Sequence, residues 1–296
     1  MFGPMAKWVA QIERADRIPE YMAHAFQVAT SGRMGPVVLA LPEDVLTMQA
    51  DARPALRHKP VHAAPSPAQI ADLRAHLAAA RRPMVILGGT GWDTKACADM
   101  RSFVEGNELP VPCAFRFQDL YDNRLPNYVG DVGISINPKL AERVRASDLL
   151  IAIGPRLGEM TTSGYSLLEA PRPRQPLIHV HAGTDELGTV YQADLMIASG
   201  MPEIASALAS LRVDASAWRD SVAPARADYE AWQQRPALYQ GATPALDLWE
   251  VMRTLARVAP ADSIITNGAG NFATWAHRFW PYAGLRTQLA STSGSM

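Results

Sequence analysis

A chain of 296 residues, 48% of them hydrophobic and 19% charged, has the length of roughly two domains and the composition of a soluble globular protein with a sizeable core. The formal net charge of -1 gives no electrostatic argument for binding nucleic acid or an anionic membrane surface. No run approaches the roughly 18 apolar residues of a membrane span, and the opening segment, with its acids and proline, excludes a signal peptide, so we expect a cytoplasmic protein.

The N-terminal part predicts one helix, one strand and a linker. Apolar residues recur at helical spacing over 18–31, and Gly32 ends this helix. The run PVVLALP over 36–42 is apolar, β-branched and bounded by prolines, which predicts a parallel strand buried on both faces. Residues 49–67 are rich in Pro, Ala and charge without periodicity and therefore predict an interdomain linker.

Three predicted helices begin with the same pair of residues, a capping residue followed by proline. Ser66-Pro67, Asn137-Pro138 and Thr243-Pro244 each place a capping side chain before a proline. Proline suits the first helical position because no N–H is needed there, and the preceding oxygen can accept a bond from a free backbone N–H. Each pair therefore predicts the start of a helix.

Apolar runs that end at glycine alternate with these helices. The runs lie at 83–89, 148–154 and 176–183 and predict three strands. Repetition of strand, glycine turn and helix is typical of a doubly wound α/β domain with a parallel sheet, which we place at residues 60–212. A polar helical connector is predicted over 213–242, and a new α/β unit follows with a helix over 244–258, a strand over 263–266 and a helix from Asn271.

Two glycine-rich turns are candidates for ligand binding. LGGTGW (87–92) directly follows a predicted strand, and TNGAGNFATW (266–275) leads into a predicted helix. Parallel sheets bind ligands beyond the carboxyl ends of their strands, where free backbone N–H groups attract phosphates. Each turn is either a phosphate cradle or an ordinary structural turn, and composition alone leaves both interpretations open.

Other patterns give no catalytic residue and no metal site. His179 and His181 share one strand face, but no third ligand is in view, and we interpret them as polar surface. GDVG (130–133) resembles the start of a Gly-Asp-Gly metal motif, but Val132 occupies its third position. Cys97 and Cys113 lack CxxC spacing and paired histidines, which predicts reduced core thiols rather than a disulfide or zinc site.

Taken in order, the segments resemble thiamine diphosphate enzymes of the acetolactate synthase type. AFQVATSGRMGPVVLALPEDV resembles the end of the pyrimidine-binding domain, ASDLLIAIGPRLGEMTT part of the central domain, and SIITNGAGNFATW…SGSM the start of the diphosphate-binding domain. The resemblance implies a doubly wound parallel-sheet central domain flanked by partial α/β domains. It divides the chain into the end of the pyrimidine domain, the central domain, a connector and the start of the diphosphate domain, at 1–55, 60–212, 213–242 and 243–296.

The same resemblance implies an internal slice of a longer enzyme. In the family, a Gly-Asp-Gly…Asn motif that holds Mg²⁺ follows Ser-Gly-Ser-Met, and an earlier Glu activates the cofactor; neither is present in these 296 residues. The resemblance implies a carboligase or decarboxylase that acts on a 2-keto acid with thiamine diphosphate and Mg²⁺ as a homodimer or homotetramer. The chain alone is expected to be inactive and, with apolar surface uncovered, to self-associate.

Five residues are assigned to thiamine diphosphate by position in the family's pattern. Gly270, Asn271 and Phe272 match the loop against the diphosphate, although Phe272 replaces a common His. Gly294 matches a backbone contact to the aminopyrimidine. Met296 matches the bulky apolar residue that supports the bent cofactor.

Four further residues match positions that contact FAD in the acetolactate synthase branch: Arg33, Gly88, Gly89 and Arg156. The motif usually written Arg-Phe-Asp-Asp-Arg is here RLGEM, beginning at Arg156, and His181 replaces an expected acid. These departures make FAD doubtful. The alternative function is a non-catalytic nucleotide-binding module of the FAD or ADP type, or an assembly module, that uses the glycine turn at 88–91.

Overall fold

The computed structural model describes residues 2–237 and 246–291 and divides the chain into two compact units, Met1–Ala63 and Ala64–Met296. The first unit contains two helices and two strands, with a 3₁₀ turn at Ala15–Arg17. These elements are β1 (Trp8–Gln11), α1 (Ile18–Thr30), β2 (Val37–Ala40) and α2 (Glu43–Thr47). Residues 48–66 form neither helix nor strand, as their aperiodic composition predicted.

The first unit is held together by a parallel strand pair over a small core. β1 pairs with β2 from Trp8 opposite Val37 to Gln11 opposite Ala40. The buried core centres on Ile12, with Ala15 and Val45 beside it. The prediction that β2 is buried on both faces is wrong for this unit, because its residues are half-buried or exposed. A strand with one parallel neighbour and so small a core beneath it is not covered on both faces.

The second unit contains a larger sheet, its flanking helices and a two-stranded ribbon. In chain order its strands are β3 (Pro83–Leu87), β4 (Val111–Ala114), β5 (Tyr128–Val132), β6 (Leu149–Ile153), β7 (Leu177–His181), β8 (Leu195–Ala198), β9 (Ile265–Asn267) and β10 (Gln288–Ala290). Its helices are α3 (Pro67–Ala79), α4 (Thr94–Gly106), α5 (Pro138–Ala146), α6 (Met201–Leu208), α7 (Val222–Trp232), α8 (Leu248–Val258) and α9 (Ala273–Phe279).

Within the described residues, six strands form one parallel sheet in the order β5-β4-β3-β6-β7-β8. The chain builds outward from β3 to β5 on one side and then crosses to β6 and continues to β8 on the other. This confirms the predicted doubly wound α/β class. The strand order reverses between β3 and β6, and the carboxyl ends of this pair are where such sheets leave a crevice for a ligand.

Alternate residues of the central strands pack against helix layers on the two faces. Val85 and Leu87 of β3 join the core formed with α3, α4 and α6, whereas Met84 and Ile86 join the core formed with α5 and α7. All five residues of β3 are buried, as expected of a parallel strand covered on both sides. The sheet is therefore a rigid base for the turns at its carboxyl edge.

Two of the three predicted helix starts are confirmed. Ser66 accepts a hydrogen bond from Gln69 N, and Gln69 Oε1 accepts one from Ser66 N, which completes a capping box before Pro67. Asn137 Oδ1 accepts from Lys139 N, 3.1 Å away, at the start of α5. These side chains satisfy N–H groups that have no partner inside the helix.

The third predicted start, Thr243-Pro244, lies outside the described residues, and the helix that follows begins later than expected. α8 starts at Leu248, where Asp247 Oδ1 accepts from Trp249 N and Glu250 N. Asp247 also binds Arg235, with an Nη2 to Oδ2 distance of 2.6 Å. No helix in the described stretches is long and apolar enough to cross a membrane.

Candidate functional site

The two glycine-rich turns identified in the sequence line one cavity of about 650 Å³ in the second unit. The turn after β3 contributes residues 89–92, and the turn after β9 contributes residues 266–268. The segment after β4 and the strand β10 complete the wall, through Arg116, Asp119 and neighbouring residues. Turns from separate α/β units thus converge at the carboxyl edge of the central sheet.

The turn after β3 can be built only with glycine at its first two positions. A Cβ on Gly88 would lie 2.7 Å from both Ala114 Cβ and Pro155 Cβ. Gly89 has φ +71, and a Cβ on it would lie 1.9 Å from the carbonyl oxygen of Gly154. The loops after β3 and β6 are therefore in backbone contact at the point where strand order reverses. Trp92 closes the turn by donating from Nε1 to Gly88 O at 2.8 Å.

The turn after β9 has a different geometry. Asn267 donates from Nδ2 to Gly268 O at 2.9 Å, while its Oδ1 is buried without a donor in the described structure. Gly270 has φ +140, and a Cβ there would lie 2.8 Å from Phe272 Cε1. Asn271 and Phe272 are exposed, and α9 begins at Ala273, two residues after the predicted start. This small shift is within the usual uncertainty of helix ends.

A buried carboxylate joins the ribbon to the central sheet. Asp119 follows β4 in a 3₁₀ turn, and its Oδ2 accepts from Arg286 N at 2.8 Å and from Gln288 N at 3.3 Å. In return, Gln118 N donates to Gln288 Oε1 at 3.0 Å. Burial raises the pKa of Asp119, and the backbone N–H groups partly offset that rise. β10 is therefore held against the carboxyl end of β4.

Charged and polar groups without partners gather beside this junction. Arg116 is 9% exposed, and its Nε and Nη1 have no acceptor among the described residues. Both ring nitrogens of His277 are likewise buried without a partner, and the ring packs edge-on against Phe115 at 4.8 Å. Burial, together with the charge of Arg116, lowers the pKa of His277 to about 4, so the imidazole is neutral at pH 7.

A second cavity of about 350 Å³ lies along α9. Asp131, at the end of β5, and His277 and Arg278 of α9 line it together with several aromatic residues. Burial raises the pKa of Asp131 to about 7, and the charge of Arg278 partly opposes this. Arg278 stacks on Trp232 with its Cζ 3.5 Å from the ring centroid and donates to the same residue's carbonyl oxygen.

The sequence-assigned binding residues fall in four places. Gly89 lines the cavity of about 650 Å³, with Gly88 beside it, whereas Gly270, Asn271 and Phe272 form the adjoining turn outside that wall. Arg156 follows β6 and pairs with Glu186, with an Nε to Oε2 distance of 2.8 Å. Arg33 belongs to the first unit. Gly294 and Met296 lie outside the described residues.

Sequence reasoning did not find Arg116, Asp119 or Gln288. The signal was present as FRFQD, a cluster of charged and amide side chains directly after a short apolar run. That run, VPCA, has a proline inside it and does not predict a strand, so the sequence gives no indication of a site at its carboxyl end. Its partner in the cavity wall, β10, was also missed.

The interpretation of His179 and His181 as polar surface is wrong. Both are buried, at 2% and 6% exposure, because β7 lies inside the sheet between β6 and β8. His179 Nε2 contacts Pro155 O at 3.0 Å, and His181 Nδ1 accepts from Gly183 N at 3.0 Å. Among the residues in 2–237 and 246–291, no group of three or more His, Cys, Asp or Glu side chains could hold a metal ion.

Both cysteines are free thiols in the structure. Cys113 is buried in β4, and Cys97 is half-buried in α4. Burial raises the pKa of Cys97 to about 12 and that of Cys113 well above its ordinary value. The two side chains are therefore protonated packing groups at neutral pH.

Comparisons with known proteins find relatives that cover nearly the whole chain. Residues 70–208 match the family described as thiamine pyrophosphate enzyme, central domain. The chain is 26% identical over 265 residues to the acetolactate synthase isozyme 2 large subunit of Escherichia coli K12, covering 90% of this chain and 46% of that protein. For the isozyme 1 large subunit of the same organism, the identity is 26% over 293 residues, covering 97% and 50%.

The chain thus spans about half the length of the curated relatives it matches. Among solved structures it is similar to benzoylformate decarboxylase from Polynucleobacter necessarius, with a TM-score of 0.79 and 17% identity, covering 100% of this chain and 53% of that one. At this identity the likeness shows the fold. Together the matches confirm the resemblance to thiamine diphosphate enzymes of the acetolactate synthase type.

Proposed function

We propose, from the match of residues 70–208 to the thiamine pyrophosphate enzyme central-domain family, that the chain is part of a thiamine diphosphate- and Mg²⁺-dependent carboligase or decarboxylase acting on 2-keto acids. The observation that carries this proposal is the convergence of two glycine turns, at 89–92 and 266–268, on one cavity. A central domain alone has no need of the second turn, whereas an enzyme that binds its cofactor beside that domain does.

The proposal assigns the remaining parts of the chain to the neighbouring domains. Residues 1–55 are the end of a pyrimidine-binding domain, 213–242 a connector and 243–296 the start of a diphosphate-binding domain. The pair of β1 and β2 and the ribbon of β9 and β10 are consistent with partial domains. Each is a two-stranded sheet with little core of its own, and β2 is only half-buried. The whole enzyme is a cytoplasmic homodimer or homotetramer in this proposal.

The residues at the turn after β9 fit a diphosphate group. Gly270 has φ +140, a backbone conformation that favours glycine, and a Cβ there would lie 2.8 Å from the ring of Phe272. Asn271 is exposed and can donate from its amide to a phosphate oxygen. Phe272 is 61% exposed. Gly294 and Met296 carry their assigned roles by resemblance.

When bound, thiamine diphosphate supplies the carbon nucleophile and the electron sink for cleaving the bond next to a keto group. In this proposal the chain's own residues position the cofactor and form the walls of the cavity beside it. The turn at 89–92 and the strand β10 wall the cavity, and Asp119 fixes β10 in place through two backbone N–H groups.

FAD remains doubtful in this proposal. Arg156, which matches a flavin-contacting position, is already paired with Glu186, whose side chain is 9% exposed. His181, in place of the expected acid, uses Nδ1 to accept from Gly183 N. Gly88 and Gly89 are required for contact with the loop after β6 whether or not a nucleotide binds. The contacts of Arg156 and His181 are internal and leave a flavin few of the expected partners.

The Mg²⁺ dependence rests on residues that the family resemblance places outside this sequence, and for that reason the chain alone is proposed to be inactive. The test is an assay of the purified chain for pyruvate decarboxylation with thiamine diphosphate and Mg²⁺. We expect no turnover above a protein-free blank. Turnover above the blank would refute the proposed division of the catalytic groups.

Calorimetry separates the proposal from the alternative of a nucleotide-binding module. The purified chain is titrated with thiamine diphosphate, FAD, ADP and NAD. Binding of thiamine diphosphate in preference to the nucleotides supports the enzyme assignment. Micromolar binding of FAD or NAD without binding of thiamine diphosphate supports the module instead, with the glycine turn after β3 as its site.

A further inference from the structure

The cavity of about 350 Å³ along α9, the α9 cavity, has one carboxyl group in a largely apolar wall. The carboxyl group belongs to Asp131, near the end of β5. Most other wall residues are apolar or aromatic and include Ile134, Ile136, Trp232, Trp275 and Phe279. Small-molecule sites usually combine apolar walls with a few polar groups that fix the ligand's orientation. The polar groups of the α9 cavity therefore indicate what it binds.

The carboxyl group of Asp131 is within reach of a ligand. Asp131 is half-buried, and its oxygens are not among the side-chain atoms that the protein closes off from solvent. Burial raises the pKa of Asp131 to about 7, so the carboxylate form prevails above that pH. Gln118 does not satisfy it, because both side-chain polar atoms of Gln118 lie without a hydrogen-bond partner in the described structure. A carboxylate with so little water around it is costly unless a cation meets it.

The basic side chains of the wall do not supply that cation. Arg278 Nε donates to Trp232 O at 3.0 Å, and its Cζ lies 3.5 Å from the Trp232 ring centroid and 4.6 Å from that of Phe279. The guanidinium is thus held by these rings, and no ion pair joins it to Asp131 in the part of the chain that the structure describes. His277 adds no charge at pH 7, because burial lowers its pKa to about 4.

The loop after β5 fixes the rim of the α9 cavity. Ser135 has φ +62, a left-handed backbone conformation that a residue other than glycine adopts at a cost. Ser163 Oγ donates to Gly133 O at 3.0 Å, which holds the start of the loop. Asn137 Nδ2 donates to Asp228 O of α7 at 3.2 Å, which holds its end. Because the rim is already held in shape, a ligand would not have to order it on binding.

We propose that the α9 cavity binds a small organic amine whose ammonium group meets Asp131 and whose apolar body packs against the aromatic wall. An ammonium–carboxylate contact is a charge-assisted hydrogen bond, and aromatic rings attract cations at close range. The ligand is either a simple amine or an amino acid, whose carboxylate would lie toward Arg278. The described wall shares no residue with the cavity of about 650 Å³, so this site goes beyond the proposed function and does not depend on it.

The experiment is isothermal titration of the full 296-residue chain at pH 8 and low salt, without thiamine diphosphate or Mg²⁺. The probes are phenethylamine, phenylalanine and 3-phenylpropionate, which share a phenyl ring and differ in their charged groups. Asp131→Asn removes the carboxylate at nearly constant shape. Glu142→Gln is the matched control, because it removes an exposed carboxylate of α5 that lies outside the cavity wall.

We expect phenethylamine to bind the wild-type chain with a Kd below about 1 mM and 3-phenylpropionate to bind at least about tenfold more weakly. Asp131→Asn should weaken phenethylamine binding about tenfold or more. Glu142→Gln should change the Kd by less than about twofold, because exposed charges are screened. Tighter binding of phenylalanine than of phenethylamine identifies an amino-acid ligand, and the reverse identifies a simple amine. No binding of either amine, equal binding of 3-phenylpropionate or equal binding by Asp131→Asn overturns the proposal.

A second readout uses the wild-type chain and does not depend on a variant folding. Addition of phenethylamine should shift the indole N–H resonances of Trp232 and Trp275 in NMR spectra, because both rings line the α9 cavity. The resonances of Trp92, in the wall of the other cavity, and Trp218, in the core, should stay unchanged. Unshifted Trp232 and Trp275 at saturating ligand, or an equal shift of Trp92, contradicts binding in the α9 cavity. Neither measurement involves turnover or thiamine diphosphate, so a failure here is distinct from a failure of the enzyme assignment.

Discussion

The contact between the loops after β3 and β6 gives a sharp prediction for Gly89→Ala. The added Cβ would lie 1.9 Å from Gly154 O, and a spacing of 3.0 Å, below which real Cβ atoms are essentially never found, requires the backbones to move apart by about 1.1 Å. That movement strains the bonds from Gly88 N to Ile153 O, at 3.1 Å, and from Gly154 N to Val180 O, at 2.8 Å. Each such bond contributes about 1 kcal/mol, and the positive φ adds about 1 kcal/mol.

We therefore expect Gly89→Ala to lower the free energy of unfolding by about 3–5 kcal/mol, the upper part of the range for single substitutions. The matched control is Gly91→Ala, two residues later in the same turn. Gly91 also has a positive φ, of +91, but its nearest neighbour would be Met201 Cγ at 4.0 Å. That variant should lose about 1 kcal/mol, from backbone strain alone.

The assay is urea unfolding followed by far-ultraviolet circular dichroism, with the slope checked for constancy between variants. A shift in midpoint at constant slope measures the change in stability. If Gly89→Ala proves no less stable than Gly91→Ala, the close backbone approach between the two loops is not present in solution. The account of the cavity's glycine turn would then have to be abandoned.

Two further predictions test buried groups at β5. Arg226→Ala should lower the free energy of unfolding by about 2–3 kcal/mol. Arg226 Nη1 donates to three backbone carbonyl oxygens before and within β5, and its Cζ lies 4.8 Å from the Tyr229 ring centroid, so the substitution removes all of these contacts. Arg219→Ala, which removes an exposed pair to Glu108 at 3.8 Å, should change it by less than about 0.5 kcal/mol in the same urea titration. Asp131, whose pKa burial raises from 3.8 to about 7, binds a proton more readily folded than unfolded, so wild-type stability should fall as pH rises from about 4 to 7. Asp131→Asn should flatten that fall, which is at most about 4 kcal/mol; a variant with the wild-type pH profile would show that this carboxyl does not titrate there.

The elements that the sequence predicted well are those with strong local signals. The capped helices after Ser66 and Asn137 follow from side chains that satisfy their own helix ends. The strands β3 and β6 follow from uninterrupted apolar runs that stop at glycine, and β7 follows from a run in which two histidines alternate with apolar residues. Local hydrogen bonding and burial on both faces agree at these places, so a single sequence is enough.

The missed strands carry weaker signals. β4 is VPCA, with a proline inside it, and β5 is YVGDV, with a glycine and an acid; neither shows a period or a long apolar run. Both are nevertheless fully or largely buried, because β4 lies between β3 and β5 and the edge strand β5 is covered by α5 and α7. Their position depends on tertiary packing that four or five residues cannot encode alone.

The candidate site was predictable only in part for the same reason. Glycine turns can be identified from a few neighbouring residues, and residues of both predicted turns line the cavity. The bond from Arg286 N to Asp119 joins residues 167 positions apart, and each lies beside a strand that was missed. The prediction for His179 and His181 of β7 was wrong for a different reason. Their polar side chains suggested a surface position, but in the interior a backbone carbonyl oxygen and a backbone N–H serve as their hydrogen-bond partners.

The attachment of β10 to Asp119 has a consequence for how the two-stranded ribbon stays aligned with the central sheet. A parallel ribbon of two three-residue strands forms too few hydrogen bonds to maintain its own registration. Its alignment is set by a carboxyl group that follows β4 of the central sheet. Changes of sequence around β4 are therefore expected to displace β10 and so to alter the shape of the cavity that β10 lines.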